Sequence, residues 1–166
     1  MRSFPIRLLV MILLAAIAAL TVAGLQADNG GREDIDGDLI RMQGKWKLVK
    51  FVYYRNGVED PVAPEQANGT RTVTGNRYHL KLSILLTTVD DDYSFTLIPG
   101  QSPKGEDVVL PAPDKRVIKG IYEIDGDTLR RSYSQPGTPR PKTFRGGNQT
   151  YQEWRRMVEL PEKAES

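Results

Sequence analysis

The chain has 166 residues, with 23 Lys plus Arg against 21 Asp plus Glu, one His and no Cys, a length that suits one compact domain. Without Cys there is no disulfide framework, thiolate nucleophile or Cys metal site, and the single His79 excludes any centre that needs two histidines from one chain. The slight positive charge belongs to residues 1–27, which hold Arg2, Arg7 and no acid; the remainder carries 21 basic and 21 acidic groups, and so lacks the basic excess of a nucleic-acid-binding surface.

Arg2 and Arg7 precede an unbroken apolar run from Leu8 to Leu20, and small residues follow at Thr21, Ala23, Gly24 and Ala27. That order predicts a signal peptide helix over residues 1–27, cleaved after Ala23 or Ala27, and export to the periplasm, the envelope or the exterior. The competing reading is a retained anchor, because apolar character continues to Leu25. An uncleaved leader is then the only expected contact with a membrane. Residues 28–38, DNGGREDIDGD, are polar and acidic and read as a flexible linker. Asp34, Asp36 and Asp38 alternate as in a calcium loop, but the Gly needed for the sharp turn is missing and Lys45 stands where a bidentate Glu is required. A solvated tether is the better reading.

From residue 39 onward the chain is punctuated like an all-β domain. Trp46 to Tyr54 is aromatic and β-branched and ends at Asn56-Gly57, a hairpin signal. Only Pro64 to Asn68 suits a helical turn. Tyr78, Leu80, Leu82 and Ile84 then alternate with His79, Lys81 and Ser83, which predicts a strand with one apolar face. A turn placed at Asp90-Asp91-Asp92 leads to a second alternating run, Tyr93, Phe95 and Leu97, and Glu106 to Leu110 is a shorter strand burying Val108 and Leu110.

Ile118, Tyr122 and Ile124 share a face before Asp125-Gly126, read as a type I′ turn, returns the chain through Leu129, Arg131 and Tyr133. Gln135 to Gly147 holds three Pro and three Gly and is mostly loop, with a short strand expected at Lys142 to Arg145. Gln149 to Leu160 is the last strand, around Trp154, and residues 161–166 form a polar tail. Sequential hairpins without intervening helices predict an antiparallel up-and-down β-barrel of about eight strands over residues 39–160, since closure hides the strand edges.

The segment DLIRMQGKWKLV from Asp38 to Val49, the Asn56-Gly57 turn, the segment KGIYEIDGDTL from Lys119 to Leu129 and the later Pro136-Gly137 and Arg140-Pro141 resemble an uncharacterised lipocalin-like domain of planctomycete secreted proteins. The resemblance spans about residues 36–160 and implies a lipocalin-like β-barrel; it brings no activity or ligand. Gly44-x-Trp46 also resembles the Gly-x-Trp of true lipocalins, whose indole packs at the closed barrel end beside an Arg from the end of the domain. Arg155 or Arg156 is placed to fill that role, and a guanidinium over the indole contributes about 0.5–2 kcal/mol. Gly44, Trp46, Asp125, Gly126, Trp154 and Arg155 are the expected structural residues.

His79 lies on the polar face of its strand, and the sequence nominates neither an orienting carboxylate nor a nucleophile for it. Asp125 and Asp127 fit turn chemistry, and the Arg130-Arg131 and Arg155-Arg156 pairs fit solvated strand faces. No catalytic constellation, metal site or cofactor is expected. Trp46, Tyr78, Leu80, Leu82, Phe95, Tyr122 and Tyr133 are the candidate barrel lining. An eight-stranded barrel is either filled by side chains or holds one small ligand, and the size of these residues argues for a filled or nearly filled one. Two functional readings follow. The first is an exported, monomeric, non-enzymatic lipocalin-like protein that binds a small apolar or amphipathic ligand. The alternative is a solid-core envelope module that contacts a protein or polysaccharide.

Overall fold

The computed structural model describes residues 36–158; the leader at 1–27, residues 28–35 of the linker and the polar tail at 161–166 lie outside the described residues. A short helix over residues 36–42 leads into nine strands. These are β1 (Gly44–Arg55), β2 (Val58–Pro61), β3 (Ala67–Thr74), β4 (Arg77–Ile84), β5 (Thr87–Ile98), β6 (Lys104–Val109), β7 (Val117–Asp125), β8 (Thr128–Ser134) and β9 (Gln149–Arg156). From β3 to β9 each strand pairs antiparallel with the next, and β9 returns to β1. Eight strands therefore close an up-and-down barrel of lipocalin-like form. The ninth, β2, is an arm on the upper half of β1 from Val52 to Arg55, while β3 pairs only with the lower half from Gly44 to Lys47.

Alternation decides which residues face inward. Along β1 it is reset by a bulge between Leu48 and Lys50, since an extra residue moves the following side chains to the other face. Trp46 and Leu48 point inward before the bulge, and Phe51 and Tyr53 join the same core after it. Val52 and Tyr54 thereby face outward, where Tyr151 and Phe144 from the long loop cover them as a second small cluster. Phe144 lies in a segment without strand structure, so the strand expected at Lys142 to Arg145 does not form. The Pro64–Gln66 turn is a 3₁₀ helix, as the composition of that stretch predicts.

Two turns differ from expectation. Asp90, Asp91 and Asp92 lie within β5, and the chain reverses instead at Leu85-Leu86. The reason is cross-strand pairing: with the turn at Leu85-Leu86, Lys81 stands opposite Asp90, His79 opposite Asp92 and Tyr78 opposite Tyr93. The second hairpin pairs Asp125 with Thr128, which makes Gly126 and Asp127 the central residues. Only Gly126 takes a positive φ, 54°, the pattern of a type II′ turn rather than I′. Asn56 and Gly57, both with positive φ, do form the I′ pattern.

The closed end is a plug of large side chains. Met42, Trp46, Leu129 and Trp154 are fully buried there, with Phe95, Leu97 and Tyr122 in the same core. The indole of Trp46 donates to the Met42 carbonyl at 2.8 Å, and the guanidinium of Arg156 lies 4.2 Å from the Trp46 ring centroid. Arg156 also donates to the carbonyls of Gln43 and Arg41 at the end of the helix, satisfying acceptors that a helix terminus leaves open. Gly44, at φ 98°, carries the chain from the helix into β1. Of the two arginines expected beside the indole, Arg156 makes the contact; Arg155, named among the structural residues, has a side chain 58% exposed, because strand alternation turns neighbours to opposite faces.

Asp36, Gly37 and Asp38, assigned to the flexible linker from composition, belong to the helix. Asp38 is 1% exposed; it accepts from Lys104 Nζ at 2.8 Å and from the Tyr122 hydroxyl at 2.7 Å, and it pairs with Arg41. Burial alone raises a carboxyl, but the bonds from Lys104 and Tyr122 outweigh it and hold Asp38 below the ordinary carboxylate range. Its charge is used to dock the helix on the barrel.

Candidate functional site

The opposite end of the barrel is open. A cavity of about 780 Å³ runs inward from it, within the range of small-molecule sites. Its walls include Leu80 and Leu82 of β4, Val89 and Tyr93 of β5, Val108 of β6, Leu110 and Ile118 near the mouth, and Tyr133 of β8. The expectation of a filled barrel is therefore wrong. Both tryptophans, with Phe95 and Tyr122, pack in the closed half, which leaves a cavity walled by tyrosines and aliphatic residues above them.

Of the predicted lining residues, Tyr78, Leu80, Leu82 and Tyr133 border the cavity. Trp46, Phe95 and Tyr122 do not; they are packed in the plug beneath it. The fully buried charges among the lining and just behind it are those that sequence reasoning missed. Arg71 of β3 is 2% exposed and Arg131 of β8 is 0% exposed, which overturns the reading of Arg131 as a solvated residue. The register explains both. Gly69, Arg71 and Val73 are the inward residues of β3, and Arg131 sits between the inward Leu129 and Tyr133.

Arg131 is compensated. It pairs with the buried Glu106 of β6 through two contacts, one of them Nε to Oε1 at 2.6 Å. Arg71 has no such partner: its Nε and Nη2 are buried without a hydrogen-bond acceptor among the described residues. What holds it is the face of Tyr78, with the guanidinium carbon 3.5 Å from the ring centroid, and at longer range the ring of Phe95 at 5.9 Å. Arg131 lies near the same two rings, at 5.5 and 6.0 Å. Tyr78 in turn stacks on Tyr93 with centroids 5.0 Å apart.

Beside Arg71, the ring of Tyr133 borders the cavity while its hydroxyl is buried with no partner among the described residues. Gly120 makes room for that ring: a Cβ there would come within 2.6 Å of it. Burial pushes the Arg71 guanidinium down from its ordinary value, opposed by the phenols of Tyr133 and Tyr78, but a guanidinium stays protonated in proteins. Burial pushes the Tyr78 phenol up to about 12 and that of Tyr133 well above its ordinary value. Both are neutral hydrogen-bond donors at neutral pH. At the inner end of the cavity lining an uncompensated cation and a hydroxyl without a partner among the described residues thus lie buried together.

His79 is elsewhere, on the outward face of β4, held between Asp90 at 2.9 Å from Nε2 and Asp92 at 3.0 Å from Nδ1. It therefore has neighbouring carboxylates that the sequence did not single out, but both are exposed. Among the described residues no group of three or more His, Asp or Glu side chains is arranged to hold a metal ion.

The closed strand circuit and open mouth define a lipocalin-like barrel with an internal cavity. The chain matches no family model and no curated protein. Among solved structures it is similar to an abundant heat soluble (SAHS) protein from Ramazzottius varieornatus, at 14% identity over 70% of this chain and 95% of that one, with a TM-score of 0.35. It is also similar to a protein described as the REP1-NXSQ fatty acid transporter, at 19% identity over 73% of this chain and 98% of that one, with a TM-score of 0.29.

Proposed function

We propose that the barrel binds a single-chain amphiphile with an anionic head. The head meets Arg71 and the Tyr133 hydroxyl at the cavity floor, and the tail lies along Leu80, Leu82, Val89, Leu110 and Ile118 toward the mouth. The observation that carries this reading is the unpaired Arg71. A buried charge without a counter-charge costs several kcal/mol, and an apolar pocket with a few convergent polar groups is the general form of a ligand site. A carboxylate, sulfonate or phosphate head supplies the acceptors that Arg71 and Tyr133 lack, and a hydrocarbon tail matches the walls.

The role is non-enzymatic in this reading, since the polar groups at the floor bind and orient but include no activated nucleophile. Export is part of the proposal, supported by the charged start, apolar run and small residues of the leader at 1–27, and so is the planctomycete-type lipocalin-like family, supported by the two sequence blocks quoted above.

Thermal unfolding of delipidated protein tests the binding. Dodecanoate is expected to raise the midpoint in a concentration-dependent way, since a ligand that binds only the folded state stabilises it, and dodecanol is expected to do so far less. Equal shifts from acid and alcohol contradict the anionic head, and no shift from either contradicts binding of this class of ligand.

A further inference from the structure

We propose that Glu106 limits the headgroup accepted by this cavity to a single negative charge. The inference rests on the anionic-head reading above and specifies the chemistry of that same site. Three ionised groups are buried around the rings of Tyr78 and Phe95: Arg71, Arg131 and Glu106. Glu106 is committed to Arg131 by two contacts and is itself 0% exposed. The cluster therefore holds one net positive charge, carried by Arg71.

Tyr78 on β4, Tyr93 on β5 and Tyr133 on β8 face it as neutral phenols; Arg140, which donates to the Glu106 carbonyl, is balanced by Asp107, and Arg55 of β1 borders the same cavity with Tyr53 and Tyr54. In a site shielded from water, charges interact far more strongly than in solvent. One negative charge brings the buried cluster to neutrality. A second leaves an excess negative charge in the buried cluster, on the side of the Glu106 carboxylate, which Arg131 already neutralises. Without Glu106 both guanidinium groups would face the ligand, and the same cavity would favour a dianion. Glu106 acts through Arg131 and need not touch the ligand.

Octyl sulfonate and octyl phosphate separate the possibilities, because they share a tail. The sulfonate is a monoanion throughout, whereas a phosphate monoester passes from monoanion to dianion with a second pKa of about 6. Calorimetric titration of the wild-type protein at about pH 5 and about pH 8 is expected to give sulfonate affinities within threefold of each other, and a phosphate affinity lower by about 100-fold at the higher pH, as linkage to one proton requires. Glu106→Gln is expected to remove most of that phosphate loss.

Because Glu106→Gln leaves Arg131 buried and unpaired, the double variant Glu106→Gln with Arg131→Gln is the companion. It keeps one net positive charge and is expected to keep the wild-type pH dependence. Sulfonate binding together with equal phosphate affinity at both pH values in the wild type overturns the charge limit alone. A double variant that binds phosphate equally at both pH values also overturns it. Failure of both amphiphiles to bind at about pH 5, where each is a monoanion, overturns the anionic-head reading and this inference with it.

Discussion

Arg156 closes the barrel floor by lying over the Trp46 indole, 4.2 Å from its centroid, while two of its nitrogens hold the carbonyls of Gln43 and Arg41. One side chain thus joins the last strand, the first strand and the helix before it. Its neighbour Arg155 is exposed and lies at the long distance of 4.0 Å from Glu153. Arg156→Ala is expected to lower stability by about 2–3 kcal/mol, from the lost cation–π contact and charge-assisted hydrogen bonds. Arg155→Ala is expected to change it by less than about 0.5 kcal/mol. Urea unfolding of the two variants checks the assignment, and equal midpoints would show that Arg156 has no special role. Trp46→Ala, which empties the centre of the plug, is expected to cost about 3–5 kcal/mol.

Leu85 occupies a position that favours glycine. It takes φ 55° at the tip of the β4–β5 hairpin and is 57% exposed, so little burial offsets the conformational cost of about 1–2 kcal/mol that a non-glycine residue incurs there. Leu85→Gly relieves it at the expense of greater freedom in the unfolded chain, and a net gain of up to about 1 kcal/mol is expected. A lower unfolding midpoint in Leu85→Gly would mean that the leucine makes a stabilising contact in solution.

Asp38 makes the fold acid-sensitive. Its carboxyl titrates below the ordinary range in the folded protein and near about 3.9 in the unfolded chain. The unfolded state therefore takes up a proton first as the pH falls. The contribution of Asp38 is complete above the unfolded value and is lost progressively as the pH drops toward the folded one. Asp38→Asn is expected to lower stability at neutral pH by about 1.5–3 kcal/mol, the worth of hydrogen bonds to a charged group, and to flatten the decline below pH of about 4. Parallel acid profiles for the wild type and Asp38→Asn would contradict this.

The barrel was legible because its strands carry period-two patterns and most of its turns carry turn residues. Tyr78 to Ile84, Tyr93 to Leu97 and the Lys119 to Leu129 hairpin show their inward faces directly. What failed did so for identifiable reasons. The run Asp90-Asp91-Asp92 looks like a turn in isolation, and only its pairing with His79 and Lys81 reveals a strand. Arg131 alternates with Leu129 and Tyr133, so its inward position was available from the pattern; reading it with its neighbour Arg130 as a basic pair hid it.

Arg71 and Glu106 carried weaker signals. Arg71 lies on a strand whose other inward residues are Gly69 and Val73, and Glu106 becomes significant only beside Arg131. The charged floor of the cavity is assembled from strands distant in sequence, which one-dimensional patterns do not join. The cavity itself depends on how large residues distribute between the two ends, a property of register rather than composition.

Arg71 is the residue proposed to receive the charged head of a ligand held in the barrel. The most direct measurement is calorimetric titration of delipidated wild type and Arg71→Met with dodecanoate and dodecanol, with the fold of the variant verified by circular dichroism. The expected result is preference for the acid over the alcohol in the wild type and loss of at least about tenfold in acid affinity in Arg71→Met, equal to about 1.4 kcal/mol, with alcohol binding retained. Unchanged acid affinity in a folded Arg71→Met protein would contradict it.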